Sequence, residues 1–248
     1  MSLKKWQTKY LFGVGLVLPI APFLLLQGKI TRWKVGLLPE AERPAGVAGE
    51  GEAAANLLVL GESTVAGLGA KTHELALGGQ FAARLSEKIG RPVRWKVVGR
   101  NGVTARRTID ELWPLVPDER FDYVLLGIGG NDVMKLSSPK KWRHDMLELI
   151  SIVREANPDA VILISNCPMI GYSPVLPQPI KGILWELSKM HNANIKEFTA
   201  GMDRVFYYPQ PVEVKWDGFW ADGIHPSEQG YKDWSAAMMK YFSETYEW

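Results

Sequence analysis

The chain has 248 residues, of which 46% are apolar and 23% charged, and its formal net charge is +2. That balance suits one globular domain with a sizeable core plus an extension. With so little net charge, and no basic stripe interleaved with spaced aromatics, nucleic acid is excluded as a partner. The lone Cys167 excludes an intramolecular disulfide or a cysteine-based metal cluster.

The N-terminus differs from the rest. Tyr10 to Leu26 is a run of 17 residues without a charge, preceded by Lys4, Lys5 and Lys9 and followed by Lys29, Arg32 and Lys34. As a helix it reaches roughly 25 Å, a little short of the ~30 Å hydrocarbon core but inside the accepted length range. Trp6, Tyr10 and Trp33 occupy interface positions. Residues 1–34 are therefore expected to be a hydrophobic membrane anchor or a signal segment. The absence of a small-residue cleavage site soon after Leu26 favours the anchor. Pro19 and Pro22 count against one straight span, because each removes a helix hydrogen bond. The expected location is membrane-anchored or exported, facing the periplasm in a bacterium; lysines and arginines balance on the two sides, which leaves orientation open.

Residues 35–55, VGLLPEAERPAGVAGEGEAAA, are rich in Pro, Gly, Ala and Glu and read as a tether. From Asn56 onward apolar runs alternate with helical patterns. NLLVLG precedes a helix over Glu74 to Ile89, and VRWKVVG one over Ala105 to Leu112. DYVLLGIGG precedes Lys140 to Ala156, AVILISN precedes Lys181 to Ala200, and RVFYY precedes Glu228 to Tyr246. Five strand-helix units in series predict a parallel sheet covered on both faces, a three-layer α/β/α sandwich over residues 56–248. Ligands of such sheets bind beyond the carboxyl ends of the strands.

Three short segments make chemical sense together: GESTVAG (Gly61 to Gly67), GGND (Gly129 to Asp132) and DGIHPS (Asp222 to Ser227). A serine hydroxyl is a poor nucleophile at neutral pH. It needs an imidazole to take its proton, a group to orient that imidazole, and donors for the developing oxyanion. Ser63, Gly102 and Asn131 each follow one of the first three strand candidates, which places them on one rim. A loop containing Trp216, Phe219 and Trp220 can bring Asp222 and His225 over the same rim. Taken singly, Ser63 reads as a helix cap, Gly102 as a turn glycine and Asn131 as an Asx-turn residue. Asp132 reads as a loop stabiliser beside Asn131, and the three aromatics as either core or pocket wall.

Other patterns fail. GLGAKT lacks the glycine spacing of a phosphate loop, His73-Glu74 has Leu77 where a zincin needs histidine, and no serine sits in G-x-S-x-G. His73, His144 and His191 have no ligand spacing, so no metal is expected.

The surviving blocks, LGESTVAG, GRNGVT, GIGGND and DGIHPSEQGY, resemble in order and spacing those of the SGNH (GDSL-like) hydrolases, which are serine esterases, lipases and thioesterases. The resemblance runs from about Asn56 to the C-terminus. It implies the flavodoxin-like SGNH fold with a five-stranded parallel sheet, and a carboxylic ester hydrolase without cofactor. In that reading Ser63 is the nucleophile, His225 the general base and Asp222 its orienting carboxylate. The amides of Ser63 and Gly102 and the side chain of Asn131 form the oxyanion hole. Trp216, Phe219 and Trp220 would contact a small-molecule or lipid-like ester. Thioesterase, lysophospholipase and carbohydrate deacetylase activities remain alternatives on the same fold, as does a non-catalytic envelope scaffold. The family usually carries Asp before the nucleophile; here Glu62 keeps the carboxylate but moves it out by a methylene.

Overall fold

The computed structural model describes residues 3–211 and 216–246. At its centre lies a six-stranded sheet formed by β1 (Ala45–Ala48), β2 (Ala55–Gly61), β3 (Val93–Gly99), β4 (Tyr123–Gly127), β5 (Val161–Ile164) and β6 (Val205–Tyr207), in the order β1-β3-β2-β4-β5-β6. The last five pair in parallel, as the alternation of apolar runs and helices predicts, and β1 pairs antiparallel with β3 at the edge. The helices are α1 (Leu3–Val17), α2 (Ala21–Val35), α3 (Leu77–Ile89), α4 (Ala105–Arg107), α5 (Gly130–Met134), α6 (Pro139–Ala156), α7 (Ile180–Thr199) and α8 (Glu228–Thr245).

Each central strand is buried on both faces, and its alternating side chains divide between two cores. Leu57 and Val59 of β2 join Leu125 and Leu163 in a layer closed by Phe81 and Leu85 of α3 and Met238 and Phe242 of α8. Leu58 and Leu60 join Leu126 and Ile164 in a layer closed by Trp142, Met146 and Leu149 of α6 and Ile195 and Phe198 of α7. Helix ends are set locally. Ser138 and Ser227 cap α6 and α8 by accepting the N–H groups of Lys141 and Gly230, and Gly90 ends α3 in the left-handed region at φ 66°.

The sheet has six strands where five were expected, and the extra strand lies in the presumed tether. Residues 35–55 contain β1, whose small side chains lack any apolar period but fit an edge strand against Trp95. At Gly46 a Cβ would fall 2.5 Å from the indole, so only glycine allows the strand to lie there. The neighbouring Pro44 carbonyl accepts the Val97 N–H at 2.8 Å. The helix expected over Ala105 to Leu112 is a single turn, α4, followed by a wider π-type turn over Thr108–Leu112.

The N-terminal apolar run is broken rather than straight. α1 and α2 are joined by a single 3-10 turn over Leu18–Ile20, where Pro19 and Pro22 interrupt the α-helical ladder. By length and composition the Leu3–Val35 stretch could cross a membrane. Its base is docked on the domain: Trp6 and Tyr10 pack against Val133, Ile170, Leu184 and Leu187.

Candidate active site

β2 ends at Gly61, which lies so close to β4 that a Cβ there would sit 2.1 Å from the Gly127 carbonyl. The chain then turns sharply, with the Val65 and Ala66 N–H groups donating to the Glu62 carbonyl at 2.9 and 2.8 Å. Turns continue to Ala70, and α3 starts only at Leu77. Ser63 therefore has no helix to cap. The strand-to-helix turn expected there is a longer irregular loop that presents Ser63 at the carboxyl end of the sheet.

This loop is pinned to the segment carrying the histidine. The Tyr231 hydroxyl donates to the Leu68 carbonyl at 2.7 Å, the Lys71 N–H donates to Glu228 Oε1 at 3.1 Å, and a Cβ on Gly69 would lie 2.1 Å from the Pro226 carbonyl. The structure thus brings the Ser63 loop and the Asp222–Ser227 loop against each other.

Asp222 and His225 form a paired unit. Asp222 Oδ2 lies 2.8 Å from His225 Nδ1, while Oδ1 accepts the N–H groups of Ile224 and His225 at 2.8 and 2.7 Å. Burial pushes the Asp222 carboxyl up, but the bonds from His225 and Ile224 outweigh it and hold the group below the usual carboxylate range. An ionised Asp222 fixes the proton of His225 on Nδ1 and leaves Nε2 as the acceptor.

The third motif is organised by a residue whose role sequence reasoning missed. Glu62 is buried, and its carboxylate accepts three N–H bonds: Gly130 N at 2.6 Å on Oε1, and Asn131 N and Nδ2, both at 2.7 Å, on Oε2. One hydrogen of the Asn131 amide is thereby committed to Glu62, which fixes the plane of the amide and leaves its second hydrogen available to another acceptor. The longer Glu side chain thus serves as the clamp of the GGND loop; its methylene offset was the visible signal. Asp132, beside it, accepts the Ala105 N–H at 2.9 Å and the Ser137 hydroxyl at 3.2 Å, the loop-stabilising part its position suggested.

Gly102 has φ +81°, a left-handed conformation that glycine adopts without strain. Its carbonyl accepts Lys135 Nζ at 2.9 Å and Arg107 Nη1 at 3.2 Å, and the preceding Asn101 N–H donates to Glu40 Oε1 at 3.0 Å. Glu40, from the segment read as a tether, therefore holds the loop that carries Gly102.

Trp216, Phe219 and Trp220 form one aromatic cluster. The two indoles stack at 5.4 Å with 2° between planes, and Phe219 sits edge-on to both. All three line a cavity of about 350 Å³ whose wall also includes Glu62 and Thr64, the two neighbours of Ser63.

Burial pushes the Glu62 carboxyl up to about 7, against the N–H bonds from Asn131 and Gly130 that pull the other way. Burial likewise pushes Asp132 up to about 6, against the bonds from Ala105 and Ser137. A carboxyl whose folded pKa lies above its unfolded value stabilises the fold fully below the unfolded pKa, and that contribution is lost as pH rises through the folded value. From these two groups, melting temperature is expected to fall between about pH 4 and about pH 7. Glu62→Gln should make the slope shallower. Calorimetry across that range checks it, and an unchanged slope in the variant would remove Glu62 as the source.

The molecule is thus a three-layer α/β/α sandwich with its motif loops gathered at the carboxyl ends of parallel strands. The chain belongs to the GDSL-like Lipase/Acylhydrolase family, whose model matches residues 59–232. It is 24% identical over 131 residues to a GDSL-like esterase of Mycobacterium tuberculosis, a match covering 52% of this chain and 40% of that one. It is 23% identical over 191 residues to thioesterase 1/protease 1/lysophospholipase L1 of Escherichia coli, covering 76% of this chain and 85% of that protein. In fold it is similar to a lipase from a goat rumen metagenome, with a TM-score of 0.59 and 15% identity over 75% of this chain and 96% of that one.

Proposed function

We propose that the chain is a serine-dependent hydrolase of carboxylic esters with an apolar acyl portion. The observation that carries this reading is the Asp222–His225 pair, 2.8 Å apart and packed within a loop pinned against the turn of Ser63. In the reaction His225 Nε2 takes the proton of Ser63 Oγ as that oxygen bonds to the ester carbonyl carbon. The carbonyl oxygen becomes an oxyanion facing the N–H groups of Ser63 and Gly102 and the free hydrogen of the Asn131 amide. Collapse of the tetrahedral centre breaks the bond to the alkoxide, which leaves with the proton from His225. Water, deprotonated by the same imidazole, then attacks the acyl-enzyme, and collapse of this second tetrahedral centre releases the acid as Ser63 Oγ takes the proton back from His225.

The cavity walled by Trp216, Phe219 and Trp220 would take the acyl chain. At about 350 Å³ it lies at the small end of ligand pockets, which suits a short to medium chain. Its aromatic lining favours acyl substrates, thioesters and lysophospholipids included, over an acetylated sugar. A fluorophosphonate probe is expected to label Ser63, and a panel of esters and thioesters graded by chain length should peak at intermediate length. No labelling would make the protein a non-catalytic scaffold; a flat or acetyl-only profile would remove the cavity as the acyl site.

Asn131→Ala is expected to lower turnover about 10²- to 10³-fold, with a smaller effect on KM, because the donor matters most as charge develops on oxygen. Steady-state kinetics on an aryl ester checks this. A raised KM at unchanged turnover would make Asn131 a ground-state binding residue.

A further inference from the structure

Both ends of the N-terminal apolar run touch the same domain. Near its start, Lys9 Nζ lies 3.3 Å from Glu186 Oε2, the Tyr10 hydroxyl donates to the Leu136 carbonyl at 2.7 Å, and Gln7 Oε1 accepts the Lys140 N–H at 3.1 Å. Near its end, Gln27 Nε2 donates to the Gln178 carbonyl at 2.7 Å, and Gly28 lies against Ile180. Leu24 and Thr31 of α2 are buried. A helix crossing a bilayer cannot have both flanks on one soluble domain. Here the intervening segment bends at Leu18–Ile20 and leaves Leu11, Phe12, Leu16, Leu18, Phe23 and Leu25 exposed, each by more than half.

The docking site of this bent helical segment adjoins the candidate active site. Leu136, which receives Tyr10, lies two residues beyond α5, the helix that opens with Gly130 and Asn131, and both Leu136 and Met134 are exposed. Tyr172 stacks on Trp216 at 4.6 Å, and Val175 lies against Gly223 of the histidine loop; both remain more than a third exposed. Exposed apolar side chains thus lie both on the N-terminal segment and on the rim beside the aromatic cavity. Lys4, Lys5 and Lys9 at one flank, and Lys29, Arg32 and Lys34 at the other, place positive charge where anionic headgroups would lie.

We infer that α1 and α2, docked on the domain by one face, bury their exposed apolar face in one leaflet of a bilayer without crossing it, and that the rim around Leu136, Tyr172 and Val175 rests on the same lipid surface, so that the site takes its ester from the membrane. The inference rests on the ester-hydrolase reading for its substrate and on the docking contacts for its topology. A segment held to one domain at both ends stays on the side of that domain, and large exposed apolar area with basic flanks is what interfacial segments bury. The docked base fixes the angle at which the domain meets the lipid, so the anchor sets orientation as well as location.

Topology and substrate access are tested on the full chain. Burial pushes the thiol of Cys167 up to about 12, so an added surface cysteine is the one a maleimide labels. Lys5→Cys on α1 and Glu87→Cys at the far end of α3 are expected to react with a membrane-impermeant maleimide from the same side of sealed membranes. Reaction from opposite faces would mean a spanning helix and overturn the proposal. In vesicles of phosphatidylcholine with phosphatidylglycerol, a fluorophore on Val175→Cys is expected to be quenched by spin-labelled lipid and one on Glu87→Cys not. Equal quenching at both positions, or none at Val175→Cys, would overturn the oriented rim.

For substrate access, residues 1–35 are replaced by a lipid anchor on a long flexible linker joined at Gly36. Turnover of a water-soluble aryl acetate is expected to be unchanged, while turnover of a long-chain umbelliferyl ester dissolved in the vesicles falls at least tenfold. Equal rates on the vesicle-borne ester would sink the orienting role. If the wild-type chain hydrolyses neither ester, the ester-hydrolase reading fails, while the labelling results still decide the topology.

Discussion

Ser63→Ala is expected to abolish ester turnover while leaving the fold intact. Losing the nucleophile of a serine hydrolase costs on the order of 10⁴- to 10⁶-fold in turnover, because proton abstraction by His225 and orientation by Asp222 have no object once the hydroxyl is gone. The fold should be indifferent. The backbone bonds that shape the turn, from Val65 and Ala66 to the Glu62 carbonyl and from Leu68 to the Ser63 carbonyl, do not involve the side chain. Turnover on an aryl ester, read beside the melting temperature, tests both halves. A variant with a tenth of wild-type activity would show that Ser63 is not the nucleophile, and one that melts much lower would make the loss of activity uninformative.

The fold was legible where burial imposes a period. β2, β4 and β5 are buried on both faces and read as continuous apolar runs, and α6, α7 and α8 carry apolar stripes with serine caps at two of their starts. The Asp222–His225 pair was legible because local spacing alone decides it: three residues along one loop bring Oδ2 to Nδ1. Gly61 and Gly102 were visible as glycines, but what each accommodates, a neighbouring strand in one case and a left-handed turn in the other, is set by distant chain. The same holds for Glu62, whose partners lie 68 and 69 residues away, and for Glu40, which reaches Asn101 across 61. An edge strand made of Ala, Gly and Val has no period to read. β1 exists because Trp95 and the free edge of β3 offer it a surface, and composition alone made it resemble a linker.

The strongest consequence of that correction concerns truncation. Two deletions, one through Val35 and one through Glu50, both remove α1 and α2 and differ only in residues 36–50, which hold Glu40 and β1. The shorter deletion is expected to keep hydrolysing a soluble aryl ester. The longer one should lose stability and activity together. Without Gly46 lying over it, the indole of Trp95 loses cover on one side, about half of the 150–250 Å² that an aromatic side chain buries. At about 25 cal/mol per Å² that is about 2.5 kcal/mol. For a domain of this size it corresponds to a fall of about 5–10 °C in melting temperature. The exposed edge of β3 would also invite strand pairing between molecules. Activity falls for a separate reason, since Asn101 loses the carboxylate of Glu40 that fixes the loop carrying Gly102. Restoring residues 36–50 with Glu40→Ala, which removes the acceptor, separates the two effects: melting temperature should return while turnover stays below that of the shorter deletion. Equal stability and turnover in both deletions would mean that residues 36–50 are a tether after all.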